Sequence, residues 1–297
     1  MGEYLDVFTP SEFNFEECLV FLGRSEQENL HQIKDGGITK LINVNEKLIL
    51  FKITHANQHL RIVFLGGTPS KKGRENVAAN VEEWFDLQTD LLSFYEMASQ
   101  DQVLKEVVKK HYGLRVMCIP DLFEALTWAV MGQQINLSFA YTLKKRFVEN
   151  YGESLIFNKE TYWTFPSYQK IATITVDDLR KLQFTNRKAE YIIGIAVAMT
   201  KGHLLKEKLL QESDMKKVEK SLMAIRGIGA WSANYVMMKC LRCTSAFPLA
   251  DVGLHNALKT QLGLDQKPTL KEIEDLSKNW EGWQGYATFY LWRTLYE

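Results

Sequence analysis

Apolar and polar positions first alternate with a short period along this chain and then change to a long one. The runs Lys40-Leu41-Ile42-Asn43-Val44, 47–53 and 59–65 are rich in β-branched and aromatic residues. Turn-forming pairs, Asn45-Glu46 and Asn57-Gln58, separate them, so an antiparallel sheet is expected in the first 85 residues. The stretch Glu16-Glu17-Cys18-Leu19-Val20-Phe21-Leu22 fits a helix or a first strand, and the pattern alone leaves both open. From Val77 onward the apolar spacing is helical, first through 81–87 and 101–110. Pro120 opens a helix over 120–131, with Asp121 and Glu124 in its first turn. Gly132-Gln133-Gln134-Ile135-Asn136 interrupts that helix before another resumes at Leu137. Further helices are expected over 177–182, 187–201, 214–225, 269–279 and 284–296.

The densest signal lies late in the chain. Leu222-Met223-Ala224-Ile225-Arg226-Gly227-Ile228-Gly229-Ala230-Trp231 places two glycines around one apolar residue, between two apolar-periodic stretches. Glycine accepts the positive φ that a sharp reversal between helices needs. The N–H groups opening the second helix are then free to face an anion such as a DNA phosphate. Asp251 follows beyond that helix, where the chain can return it to the turn. A phosphate grip with a carboxylate beside it suggests an enzyme that attacks nucleic acid. Each part also has a plainer reading. Glycine serves many helix connections, and Asp251 can cap the helix that begins at Val252, although Leu254 stands where a capping box would place Glu or Gln. Trp231 and Tyr235, four apart on one helix face, suit either a core or a base-binding pocket.

Composition narrows the classes. Lys+Arg and Asp+Glu both number 36, so the net charge is zero and any DNA surface must be a local patch. Cys240 and Cys243 form a single CxxC near a helix end, with no second pair to complete a four-thiolate site, and packing is their expected role. His55 and His59 lack a third ligand nearby. No apolar stretch approaches membrane-spanning length, and the cysteine usage fits a reducing compartment. A cytoplasmic protein without a membrane segment is expected.

Taken together these residues resemble the helix-hairpin-helix DNA glycosylases, and within them the 3-methyladenine DNA glycosylase II family. The resemblance rests on Phe13-Asn14-Phe15, Gly132-Gln133, the run from Arg226 to Tyr235, Pro248 to Asp251, and Trp283-Gln284-Gly285-Tyr286-Ala287 to Leu291-Trp292. It implies an α+β fold in parts. These are an N-terminal antiparallel sheet domain (1–85), linker helices (86–118) that join the C-terminal helical unit, a central helical domain with the hairpin (119–243), and a C-terminal helical segment (244–297) carrying Asp251. The active cleft would lie between the helical domains.

The same resemblance implies a monofunctional enzyme that flips alkylated purines (3-methyladenine, 7-methylguanine type) out of double-stranded DNA and releases them with water. Two alternatives remain open: a related glycosylase for deaminated or oxidised bases, and a non-catalytic DNA-binding protein. Asp251 is the implied catalytic residue, and Trp231, Tyr235, Trp292 and Phe21 the implied base-binding ones. Gln133, Gln134, Ile135, Gly227, Ile228, Gly229, Ala230 and Ser232 are the implied DNA contacts, with Gln134 or Ile135 as the wedge filling the vacated gap. Trp231 stands where bifunctional relatives place a Schiff-base lysine. Val252 replaces an aromatic of some relatives. With no cysteine after Cys243, an iron–sulfur loop is not expected. No cofactor is required, although a monovalent cation on the carbonyls of Met223, Ile225 and Gly227 is implied. A monomer is expected.

Overall fold

The alternating runs near the N-terminus do pair. The computed structural model describes residues 4–296. Strand β1 (Tyr4–Phe8) precedes helix α1 (Phe15–Leu22), and β2 (His31–Lys34), β3 (Gly37–Val44), β4 (Lys47–Ala56) and β5 (His59–Phe64) follow. All pairings are antiparallel, in the order β1-β5-β4-β3-β2. Asn45 and Glu46 both take positive φ, 50° and 64°, the geometry whose twist suits a two-residue hairpin. Along β5 every second side chain, Leu60, Ile62 and Phe64, enters the core. The segment left open between helix and strand is helix α1. Asn14 accepts from the Glu17 N–H, and the acidic first turn suits the helix dipole.

Helix α2 (Lys71–Trp84) closes this part, starting six residues earlier than the periodicity at Val77 suggests because Ser70 caps it. Helices α3 (Leu92–Gln100) and α4 (Leu104–Lys110) come next. Helix α5 (Leu122–Gly132) is capped by Asp121, so Pro120 sits just outside it. Then follow α6 (Leu137–Tyr151), a hairpin of β6 (Ser154–Phe157) and β7 (Glu160–Trp163), α7 (Tyr168–Ile171), α8 (Val176–Lys181), α9 (Asn186–Thr200) and α10 (Lys206–Gln211). The glycine turn joins α11 (Met215–Met223) to α12 (Ala230–Lys239). Helices α13 (Val252–Gln261), α14 (Leu270–Ser277) and α15 (Gln284–Arg293) complete the chain, with a 3₁₀ turn at Lys278–Trp280. The fold is α+β.

The packing brings distant segments to one place. Helix α12 lies against α5 and α11, and α13 against α15. The 86–118 segment is tied to the C-terminal helices through buried polar bonds. Trp280 Nε1–H donates to Asp101 Oδ2 (3.0 Å), the Tyr286 hydroxyl to Asp86, and the Tyr290 hydroxyl to the Leu114 carbonyl (3.0 Å). Phe94 lies within 6 Å, centroid to centroid, of Trp283, Tyr286 and Tyr290. Cys240 is fully buried and Cys243 half-buried. Among the described residues no helix is long and apolar enough to cross a membrane.

Candidate active site

Helix α12 begins without a side-chain cap, because its N-cap is Gly229, and Gly229 and Ala230 are exposed. The first N–H groups of this helix therefore face solvent with a positive dipole end behind them. The two glycines of the turn have different reasons. Gly227 takes φ +96°, and a Cβ there would lie 2.3 Å from the Tyr191 ring. Gly229 has ordinary negative φ and open space around it, so its lack of a side chain clears the approach to the helix end.

Gln133 ties the loop after α5 to this turn. Its Nε2 donates to the Gly227 carbonyl (2.8 Å) and to Ser232 Oγ (3.1 Å). Ser232 and Ile228 are buried, so their side chains shape the turn, and only their backbone can reach a DNA strand. Gln134 is exposed in the left-handed region (φ +56°), whereas Ile135 packs against the core. Of the three carbonyls implied for a cation, that of Gly227 takes the Gln133 amide and that of Ile225 the Ile228 N–H. That set is not a bare oxygen cage. Among the described residues no group of three or more His, Cys, Asp or Glu side chains is placed to hold a metal ion.

Asp251 is the N-cap of α13 and a half-buried carboxylate at once. Oδ1 accepts from the Leu254 N–H (2.8 Å) and from Trp292 Nε1–H (2.8 Å), and Oδ2 from Trp231 Nε1–H (2.9 Å). Two indoles from α12 and α15 thus hold the carboxylate by their edges. Oδ2 keeps a lone pair free for another donor. Gly253 makes this possible, since a Cβ there would fall 2.9 Å from Asp251 Oδ1 and 3.1 Å from Trp292 Nε1. Val252 is exposed.

Tyr235 lies between the two tryptophans, with centroids 5.7 Å from Trp231 and 6.1 Å from Trp292 and planes tilted by 31° and 35°. Burial pushes its hydroxyl pKa up, and Trp128 lies beside that hydroxyl. Tyr235 (6% exposed) and Trp292 (8%) are nearly covered, so half-buried Trp231 presents the accessible rim of this stack. Phe21, implied as a pocket aromatic, is not an open stacking face. It is 4% exposed, packed on Phe289 at 4.4 Å, with the Arg24 guanidinium 4.0 Å from its centroid and the Lys239 ammonium at 5.0 Å. Burial lowers the Lys239 pKa to about 7.

The structure therefore brings Asp251, Trp231, Tyr235 and Trp292 together beside the glycine turn, and places Phe21 at the back of the group. Sequence reasoning missed Gly253, Arg24, Trp128 and Tyr296, whose ring is 6.0 Å from Phe21. Gly253 was open to discovery as a glycine two residues from an isolated aspartate. The others come from elements far apart in sequence.

Comparison with known proteins places this site in context. Residues 127–282 match the family described as HhH-GPD superfamily base excision DNA repair protein, and residues 7–126 match the 8-oxoguanine DNA glycosylase N-terminal domain. A Bacillus subtilis protein named DNA-3-methyladenine glycosylase is 47% identical over 299 aligned positions, covering 100% of this chain and 98% of that one. DNA-3-methyladenine glycosylase 2 of Escherichia coli is 28% identical over 182 residues, 61% of each chain. Among solved structures, a 3-methyladenine DNA glycosylase from Archaeoglobus fulgidus superposes with TM-score 0.83 at 20% identity, covering 97% of both chains. The 8-oxoguanine glycosylase/lyase of Clostridium acetobutylicum gives 0.75 at 20% identity, covering 100% of this chain and 97% of that one. At such identity the structural likeness speaks for the fold alone.

Proposed function

The chain belongs to the HhH-GPD superfamily of base excision DNA repair proteins, and we propose that it is a monofunctional DNA glycosylase releasing alkylated purines. The observation that carries this reading is the Asp251 carboxylate, gripped by two indole edges at the rim of an aromatic stack and beside an uncapped helix start. The relatives named for 3-methyladenine support the lesion class.

In this reading the N–H groups opening α12 hold a phosphate of the damaged strand, and exposed Gln134 enters the gap left by the flipped nucleotide. Ile135, packed against the core, is the poorer wedge. Alkylation at N3 or N7 makes a purine cationic, which weakens its glycosidic bond and suits the electron-rich face of Trp231. As the C1′–N9 bond lengthens, positive charge grows on the sugar, and Asp251 is the fixed negative charge opposite it. Water adds to C1′, and its proton leaves by way of the carboxylate. The monovalent cation implied by the resemblance would act on the turn's backbone, and no step above passes through it. The division at 85, 118 and 243, with the cleft between the helical parts, belongs to the same proposal.

Trp231 cannot form an imine, so abasic sites should accumulate without strand scission. Incubation with a single-lesion 7-methylguanine duplex, with and without borohydride, tests this. Cleavage should appear only after alkali, and no protein–DNA adduct should be trapped. Scission keeping pace with base release, or a stable adduct, would overturn the monofunctional assignment.

The turn can be tested on its own. Gly227→Ala should destabilise the protein by about 1–3 kcal/mol through the forced positive φ, with a ring clash in addition. Duplex affinity should fall with it. Replacing Tyr191 by Ala in the same chain should relieve the clash with the ring, but neither the 2.9 Å approach to the Tyr191 Cβ nor the φ penalty. Thermal melting and fluorescence anisotropy would read the two effects, and an unaltered affinity in a folded Gly227→Ala protein would remove the turn from the DNA contact.

A further inference from the structure

The stack described above accounts for the binding of a cationic base, yet a fixed cation sits at its back. Arg24 follows α1 and lays its guanidinium over Phe21 at 4.0 Å, with Tyr141 at 5.5 Å on another side. One nitrogen, Nη1, donates to the Phe21 carbonyl (2.7 Å), which fixes the side chain. Among the described residues no carboxylate lies within ion-pair distance of it, because Glu28, the nearby acid, is taken by Lys144 at 2.9 Å. None of the five donors of this fork thus meets a carboxylate among those residues. Arg24 shares with Tyr235 the wall of a cavity of about 60 Å³, and Phe21, Trp128, Tyr141 and Lys239 also line it. The phenols of Tyr235 and Tyr296, raised in pKa chiefly by burial, feel the charges of both Arg24 and Asp251.

We propose that Arg24 is a specificity-determining residue of this pocket, donating hydrogen bonds to the departing base and setting the excision of neutral purines against that of cationic ones. The inference rests on the glycosylase reading. When the C1′–N9 bond of a neutral purine breaks, the electron pair stays on N9 and the base leaves as an anion. Water bonds to C1′ and gives up one proton, and the anionic base takes up one from solvent. A guanidinium beside that base stabilises the growing negative charge. An N3- or N7-alkylated purine enters as a cation and leaves neutral, so the same guanidinium disfavours its entry, and the repulsion relieved as the base loses its charge only offsets that cost. Arg24 thereby widens the range from bases that are good leaving groups by themselves to neutral purines with an acceptor atom, such as hypoxanthine.

The test is single-turnover release, at protein concentrations below saturation so that entry and departure both count, of hypoxanthine and of 7-methylguanine from matched duplexes by wild type, Arg24→Met and Arg24→Lys. Wild type should release both, 7-methylguanine faster. Arg24→Met should slow hypoxanthine release by roughly 10- to 100-fold, the worth of one hydrogen bond to a charged group, while 7-methylguanine release is maintained or rises. Arg24→Lys, which keeps the charge over Phe21, should retain most of the hypoxanthine activity. Equal losses on both lesions would make Arg24 a packing residue and overturn the inference, as would a wild type inert toward hypoxanthine. Failure of wild type to release 7-methylguanine overturns the glycosylase reading and this inference with it.

Discussion

Asp251→Asn should reduce single-turnover release of 7-methylguanine by roughly 100- to 1,000-fold, the cost of removing one fixed charge from a developing transition-state charge. The substitution is nearly isosteric, and its amide oxygen can still accept from the Leu254 N–H and Trp292 Nε1–H that now meet Oδ1. The amide NH₂ would then face Trp231 Nε1–H, donor against donor, where Oδ2 now accepts at 2.9 Å. Turning the amide over only moves the conflict to Leu254 and Trp292. One indole is left unpaired either way, for a stability loss of about 1–3 kcal/mol. The folded variant should still bind duplex, since the uncapped start of α12 is untouched. Near-normal excision by a folded, DNA-binding Asp251→Asn protein would show that this carboxylate is not the catalytic charge.

The second large effect should come from the indole edges. Trp231→Phe and Trp292→Phe each keep an aromatic ring and remove one N–H to Asp251. If the rings served only as stacking faces, both variants would work almost normally. Because the edges fix the direction of the carboxylate, each should slow excision about 10- to 100-fold, the scale on which small misplacements of a catalytic group act. The effect should be alike for cationic and neutral lesions, because it acts on the sugar side of the bond. The double variant should lose less than the product of the single losses, since the Leu254 N–H still holds Oδ1 and the two sites share a partner. Single-turnover rates for the three variants on one duplex decide the matter. Multiplicative losses, or losses confined to cationic bases, would return the tryptophans to a stacking role.

The contrast between edge and face shows where sequence reading stops. The turn around Gly227, the helices on either side and the return of Asp251 were legible because they are local: glycine spacing, 3.6-residue periodicity and a capping aspartate all lie within one stretch. Even there, the glycines could not be told apart, since φ +96° at Gly227 and open space at Gly229 are properties of the folded turn. That Trp231 and Trp292 meet one carboxylate depends on α12, α13 and α15 converging, and residue spacing carries no trace of it. Phe21 was placed among the pocket aromatics by the family resemblance alone, and a guanidinium and a second ring cover it. In the sheet, β2 escaped notice although Asp35-Gly36, both at positive φ, is a strong hairpin pair. The β6–β7 hairpin turns on Asn158-Lys159 and leaves Ile156 exposed, so neither a glycine nor an alternating buried face announced it.

The most direct test of the central claim is chromatography of the bases that the purified protein releases from methylated duplex DNA. The account predicts free 3-methyladenine and 7-methylguanine, matched one for one by abasic sites, with strands intact until alkali is added. Duplexes carrying 8-oxoguanine should lose that base far more slowly under the same conditions. Release of 8-oxoguanine in preference to the methylated purines, or no release of methylated purines at all, would contradict it.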